Sequence, residues 1–302
     1  MTQPLAPPAP VPAPSPSPAP SPSLSLSLRG RTALVTGGGT GLGKATAGAL
    51  AAAGARVTVC GPEADVLASA AAELSGPGIE DLRWVVADVT DEEQVAAAVE
   101  AAAPGGGLDI AVANAGVAMP GSLLHLTTEQ WMLPLRVNVI GTAHTVKHAA
   151  RSMRSRGGSI VTISSIASTR PAAFLGSYSV SKAAIDGLTR FAAAELGRFG
   201  IRVNGVRPGW MDTESSAAGI NDENLALIRA STPLASDNPL GDPDHVARAV
   251  VYFASDYSAW ITGQVLGVCG GSSLPPPSGD FSHIARLLFA DEMARDFDAE
   301  SS

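Results

Sequence analysis

The amino-acid sequence predicts an α/β fold: a doubly wound, mostly parallel, seven-stranded sheet in a single domain. Three observations carry this expectation. Short, continuous apolar runs rich in Val, Ile and Ala alternate with alanine-rich helical segments, the pattern of strands covered by helices on both faces. The runs end in Gly, Asn, Asp or Ser, residues suited to leaving a strand and entering a helix. The chain has 302 residues, 45% hydrophobic and 16% charged, enough for one large core. Right-handed crossovers between such strands then distribute the helices over both faces.

Residues 1–28 stand apart. Repeats such as Pro14-Ser15-Pro16-Ser17-Pro18 cannot bury enough apolar surface to offset their ordering entropy, so a disordered, partly polyproline-II tail is expected. It has neither a basic start nor a continuous apolar core, which argues against a secretory signal. The domain is expected over 29–273. Its first strand, Thr32-Ala33-Leu34-Val35-Thr36, runs into glycines and then a helix through Ala53. Arg56-Val57-Thr58-Val59-Cys60 is the second strand, and Pro62 suits the first turn of the next helix. The third, Trp84-Val85-Val86-Ala87, stops at Asp88, and Asp91 is placed to cap the following helix. Leu108 to Ala113 is the fourth, and a helix from about Thr128 leads to the fifth, Ile160-Val161-Thr162-Ile163. Ile201 to Val206 is the sixth and Val265-Leu266-Gly267-Val268 the seventh. Residues 274–302 open with Pro275-Pro276-Pro277 and form an arm with a short helix near Ile284 to Phe289.

Charge and composition narrow the function classes. A formal net charge of −8 with no clustered basic surface argues against a nucleic-acid partner. No apolar stretch is long enough to span a bilayer, which argues against a membrane partner. Cys60 and Cys269 lie far apart and make no disulfide framework, so a reducing cytoplasm is the expected location. The histidines, His125, His144, His148, His245 and His283, lack ligand-like clustering, and no metal site is expected.

Chemistry-bearing residues gather at the carboxyl ends of the strands, where doubly wound sheets bind ligands. Thr36-Gly37-Gly38-Gly39-Thr40-Gly41-Leu42-Gly43 joins the first strand to the first helix. Glycines there let a pyrophosphate approach the backbone, and the helix N-terminus supplies donors and positive dipole. Tyr178-Ser179-Val180-Ser181-Lys182 places a phenol and an ammonium four residues apart, on one helix face. A neighbouring cation lowers a phenol pKa from about 10 toward a useful range for proton transfer. Ser164-Ser165 closes the fifth strand, and Asn138 sits inside a helix, where asparagine is otherwise mildly unfavourable.

The spacing Gly37-x-x-x-Gly41-x-Gly43, with Asn114-Ala115-Gly116, Ser165, Tyr178-x-x-x-Lys182 and Pro208-Gly209, resembles the short-chain dehydrogenase/reductase family over nearly all of Gly30 to Gly271. The resemblance implies a Rossmann-like domain binding NAD(P)(H). It assigns Gly37, Thr40, Gly41, Leu42, Gly43, Gly61, Asp88, Val89, Asn114, Ala115, Gly116, Tyr178, Lys182, Pro208, Gly209 and Thr213 to the dinucleotide. It also assigns the chemistry to Asn138, Ser165, Tyr178 and Lys182, Ser165 fitting the family spacing better than Ser164. In these roles Tyr178 exchanges the hydroxyl proton and Ser165 steadies the carbonyl oxygen. Lys182 holds the nicotinamide ribose and lowers the Tyr178 pKa, and Asn138 supports a water leading to solvent. The segment from Trp210 to about Leu240 corresponds to a lid. Met119, Pro171, Phe174, Trp210 and Met211 are candidate pocket residues, although packing explains each equally well.

The sequence departs from the family at two places. Gly61-Pro62 ends the second strand where an acidic residue would favour NAD and an arginine NADP. With no carboxylate there to repel a phosphate, the expectation leans to NADP(H), while Glu63 or Asp65 could reach a ribose. Cys269 replaces a usual acidic residue near subunit contacts. The implied function is hydride transfer between a nicotinamide and an apolar secondary alcohol or ketone. The alternatives are a 3-oxoacyl or enoyl thioester reductase, or a non-catalytic dinucleotide sensor. A homodimer or homotetramer through the helices bearing Asn138 and Tyr178 is implied as well.

Overall fold

The computed structural model describes residues 26–76, 79, 82–217, 221–235 and 238–274. Most of the proline-rich tail, and the arm with its expected helix near Ile284 to Phe289, lie outside the described residues.

Seven parallel strands form one sheet, a Rossmann-like arrangement in the order β3-β2-β1-β4-β5-β6-β7. The strands are β1 (Thr32–Thr36), β2 (Arg56–Gly61), β3 (Leu82–Val86), β4 (Ile110–Ala113), β5 (Gly158–Ile163), β6 (Ile201–Pro208) and β7 (Val265–Val268). The chain winds outward from β1 through β2 to β3, then crosses back and winds the other way from β4 to β7. The reversal falls between β1 and β4, so their carboxyl ends flank the crevice where such sheets take a ligand.

Successive side chains of a strand point to opposite faces, and the core divides accordingly. Ala33 and Val35 of β1 pack into one layer with Leu50, Val57, Val59, Val246 and Val250. Leu34 packs into the other with Ala98, Val146, Met153 and Ile160. The helices α1 (Gly41–Ala52), α2 (Ala64–Leu74) and α9 (Pro243–Ala254) supply the first layer. The second is supplied by α3 (Glu92–Ala102), α5 (Gly141–Met153) and α6 (Gly176–Leu196). Each fully buried Leu, Ile or Val contributes roughly 1.5–3 kcal/mol, which is why the apolar runs of the strands dominate the fold.

Local chemistry sets the element ends. Asp91 accepts hydrogen bonds from the Glu93 and Gln94 amides, so α3 begins where its capping residue predicts. Pro62 does not open a helix: α2 starts at Ala64 behind Glu63, and Pro62 completes the turn out of β2. The expected single helix from Thr128 is broken into α4 (Thr128–Pro134), a π-helical turn over Leu135–Ile140, and α5. Pro134 lacks the N–H that an α-helix needs at that place, and the wider turn follows it. The short helices α7 (Glu214–Ala217) and α8 (Asp222–Ser231) lie in the segment between β6 and α9. At the opposite end of the sheet Gly105, Gly106 and Gly107, in the connection to β4, all have left-handed φ, between 75° and 92°.

Candidate active site

The glycine-rich turn is shaped by close approach. A Cβ on Gly43 would lie 1.9 Å from the Gly37 carbonyl oxygen and 2.6 Å from Asn114 Nδ2, so the first turn of α1 closes against β1 only with glycine there. Asn114 in turn ties the two central strands together. Its Nδ2 donates to the Thr36 carbonyl at 2.9 Å and the Gly37 carbonyl at 3.0 Å. The Asn114 and Ala115 amides donate to Thr36 Oγ1 at 3.1 and 3.2 Å.

Thr40, at the N-cap of α1, makes no side-chain cap, and the first turn carries no acidic residue of its own. The Gly41 amide donates instead to Glu214 Oε2 at 3.2 Å, across the sheet's carboxyl end. A carboxylate from α7 thus occupies the donor that the turn would offer a phosphate oxygen. These residues fit a dinucleotide phosphate: the cradle admits no side chain, and it already attracts an anion. A cavity of about 470 Å³ opens beside this contact, lined by Gly41, Lys44, Thr213 and Glu214 among others.

The other residues expected at the cofactor border the same end. Gly61 closes β2, Val89 is buried against Gly141, and Gly209 donates its amide to the Val268 carbonyl at 3.0 Å behind the buried Pro208. Asp88 is exposed, its Oδ1 accepting from the Thr90 amide and hydroxyl, both at 2.8 Å. Lys44 pairs with Glu73 at 2.9 Å. Leu42 leans on the core, and Thr213 packs within 3.4 Å of the position a Cβ on Gly41 would take.

Ser165, Tyr178, Lys182 and Asn138 converge between β5, α6 and the π-helical turn. Two adjacent serines divide the work. Ser164 is buried and donates to the Lys182 carbonyl at 3.2 Å, while Ser165 accepts from the Ala167 amide at 3.1 Å and stands close enough to the Tyr178 phenol to favour its ionised form. Lys182 Nζ lies 5.6 Å from the centre of the Tyr178 ring and donates to the Ile163 carbonyl at 2.8 Å. Burial pulls the Lys182 pKa down to about 8, against the opposing field of Asp186. Burial also raises the Tyr178 pKa, with the nearby Ser165 hydroxyl acting the other way. The direction is opposite to the one expected from a neighbouring cation, because desolvation of the phenol dominates.

Asn138 is fully buried in the π-helical turn. Its Oδ1 accepts from the Val117 amide at 2.8 Å, and its Nδ2 donates to the Val117 carbonyl at 2.9 Å and to Ser181 Oγ at 2.8 Å. The side chain therefore clamps the segment after Gly116 onto α6, beside Lys182. A Cβ on Gly116 would sit 3.3 Å from both Asn138 Oδ1 and Lys182 Nζ. Of the candidate pocket residues, Phe174 is 66% exposed with a left-handed φ of 64°, and Trp210 is 43% exposed. Met211 is buried in the core and packs there instead. Glu214 and the Asp186–Arg207 pair were missed in the sequence, because their partners are distant in the chain and no local spacing marks them.

This sheet, with its glycine turn at the first strand's carboxyl end, is that of a Rossmann-like oxidoreductase, and the comparisons with known proteins agree. A family model described as enoyl-(acyl carrier protein) reductase matches residues 37–273. A cis-4-hydroxycyclohexanecarboxylate dehydrogenase of Sinomonas cyclohexanicum is 42% identical over 191 residues, 62% of this chain and 75% of that protein. The structure of a short-chain type dehydrogenase/reductase from Mycobacterium ulcerans superposes with a TM-score of 0.79 at 38% identity, covering 89% of this chain and 99% of that one. A protein of Agrobacterium tumefaciens assigned as a 2-deoxy-D-gluconate 3-dehydrogenase, solved with bound NADP, matches at 0.73 and 30% identity over 82% of this chain and 98% of that one. The chain belongs to the short-chain dehydrogenase/reductase family and is an oxidoreductase acting on CH–OH or C=O groups.

Proposed function

We propose that this protein transfers a hydride between NAD(P)(H) and an apolar secondary alcohol or ketone, with Ser165, Tyr178, Lys182 and Asn138 as its working side chains. The observation that carries this reading is the Tyr178 ring 5.6 Å from the buried Lys182 ammonium, which donates at 2.8 Å to the Ile163 carbonyl at the end of β5, next to Ser164 and Ser165. When bound, the dinucleotide supplies the ring that gives or takes the hydride. Everything else falls to the chain. The turn from Gly37 to Gly43 and the clamp at Asn114 would hold the phosphates, with Gly61, Asp88 and Val89 toward the adenosine half. Ser165 would donate to the substrate oxygen and steady its developing charge. Tyr178, held as a neutral phenol by burial, would give its proton to that oxygen in carbonyl reduction. In alcohol oxidation it would take the proton back, aided by Lys182. Asn138 would keep the Val117 segment and α6 in register around Lys182.

Exposed apolar side chains support an apolar substrate: Phe174, expected at the pocket, and Leu234, in the segment between β6 and α9, are each at least 66% exposed. The cyclohexane alcohol named for the Sinomonas relative points the same way. The missing carboxylate at Gly61 and the NADP bound by the Agrobacterium relative support NADP(H) over NAD(H). The family model's description supports a second reading, reduction of an acyl thioester, which an assay with 3-oxoacyl and enoyl thioesters separates. We also place the protein in the cytoplasm as a homodimer or homotetramer. Ile140, Val180 and Phe191, each between 47% and 64% exposed on the helices flanking the site, support association.

Tyr178→Phe should abolish turnover of cyclic alcohols and ketones while leaving dinucleotide binding intact. Binding is read by thermal unfolding, where a cofactor at a hundred times its Kd adds roughly 2.7 kcal/mol. Full activity in the variant, or no stabilisation of the wild type by either dinucleotide, would sink the assignment.

A further inference from the structure

One turn beyond Lys182 on α6 lies Asp186, 4% exposed. Arg207 of β6 grips one of its carboxylate oxygens twice, Nε to Oδ2 at 2.9 Å and Nη2 to Oδ2 at 2.7 Å. The other oxygen, Oδ1, is buried with no hydrogen-bond partner. A dry ion pair returns little net stability, and one with a bare oxygen returns less, so stability alone gives no reason for it. Its neighbourhood does. Residues four apart on a helix share a face, which brings the carboxylate to the Lys182 side of α6.

The groups around the Lys182 ammonium can be followed element by element. From α6 come the Tyr178 phenol and the Asp186 carboxylate. From β5 comes the neutral Ile163 carbonyl, and from the π-helical turn the neutral Asn138 amide near Gly116. Arg207 acts from β6 through Asp186. Among the described residues Asp186 is thus a buried carboxylate one helical turn from this cation, on its side of α6, and Arg207 holds that carboxylate by ion pair.

We propose that the Asp186–Arg207 pair is a positioning device for Lys182, the carboxylate keeping the buried ammonium charged and the guanidinium setting how much of that field it feels. This rests on the reading of Tyr178 and Lys182 as the catalytic pair. The design predicts opposite responses. Removing the carboxylate leaves the ammonium facing only a bare guanidinium, which discharges it at lower pH. Removing the guanidinium exposes it to the full carboxylate, which holds its proton to higher pH.

The chain contains three lysines, Lys44, Lys147 and Lys182, so a spectrum of protein carrying ¹³C at the lysine ε-carbons has few signals, and Lys182→Met assigns the one that matters. With the full chain and saturating dinucleotide, Asp186→Asn should move the Lys182 titration down by about one pH unit and Arg207→Met should move it up. Arg207→Lys, which keeps the charge, should leave it near the wild-type position. The pH limb of kcat with cyclohexanol as probe should follow the same order, with KM little changed. No movement of the NMR titration, or movement in the same direction for Asp186→Asn and Arg207→Met, overturns the proposal. NMR movement without movement of kcat confines the pair to structure and overturns it as well. Failure of the underlying reading shows elsewhere, as activity surviving in Tyr178→Phe.

Discussion

Gly61 ends β2 at the place where the proposed preference for NADP(H) can be tested with one side chain. The glycine is not required by its surroundings: a Cβ there would meet only Leu67 Cδ2, at an ordinary 3.6 Å. Gly61→Asp should therefore fold normally and restore the carboxylate that binds ribose hydroxyls and repels a phosphate. NADH should then stabilise the variant more than NADPH, a reversal of preference by tenfold or more, about 1.4 kcal/mol, measured by paired titrations. An unchanged preference would mean that the phosphate is read elsewhere. The same scale shows what was legible in the sequence. The family resemblance singled out Ser165 over Ser164, and the two hydroxyls have different partners, the Lys182 carbonyl for Ser164 and the Ala167 amide for Ser165. The sign of the Tyr178 shift was not legible, since it depends on burial, which no local motif encodes. Asp186 was equally silent, because Arg207 lies on another element and neither residue belongs to a motif.

At the scale of elements, the glycine turn and α7 are coupled by one hydrogen bond spanning 173 residues of sequence, from the Gly41 amide to Glu214. An exposed carboxylate at this place competes with a phosphate oxygen for the same donor and repels it. Glu214→Gln should tighten dinucleotide binding two- to fivefold, about 0.4–1 kcal/mol, and lessen the dependence of binding on salt. Weaker binding in the variant would show instead that Glu214 helps to hold the ligand. The strands and most helices were legible because their apolar periodicity reports burial on two faces directly. The broken helix was only half legible. Asn138 stood out as an unfavourable helix residue, but the π-helical turn that buries it depends on Pro134 and on what α5 and α6 pack against.

For the whole molecule, two buried groups oppose one another in alkaline solution. Lys182 falls from 10.5 when exposed to about 8 in the fold, so between these values the unfolded chain binds more protons and this contribution to stability rises with pH. Cys60 is pushed by burial from 9.0 up to about 12, so its contribution is complete below pH 9 and is lost as pH climbs toward 12. Denaturant midpoints at pH 7, 9 and 11 should separate them: Lys182→Met removes the rising component, and Cys60→Ala the falling one. Identical pH profiles for wild type and both variants would show that neither side chain governs alkaline stability. On the acid side, Glu92 is held down to about 2 by hydrogen bonds from Lys147 and His148, so its contribution is full above the ordinary value of 4.5 and is lost as pH falls from there toward 2.

Because all the strands run one way, the residues proposed to touch the ligand collect at one end of the sheet, and the other end carries the connections into the strands with a cavity of about 310 Å³ lined by Arg56, Gly106, Gly107 and Arg156 among others. The run from Gly105 to Gly107 lies there, at the entrance to β4, and nothing stands within 4 Å of where a Cβ on Gly105 would be. That makes the molecule polar in a practical sense, with a working end and a handle. A reporter domain spliced into this glycine run, or a surface anchor fixed there, would hold the protein with its cleft turned outward, and the chemistry would proceed as though the attachment were absent.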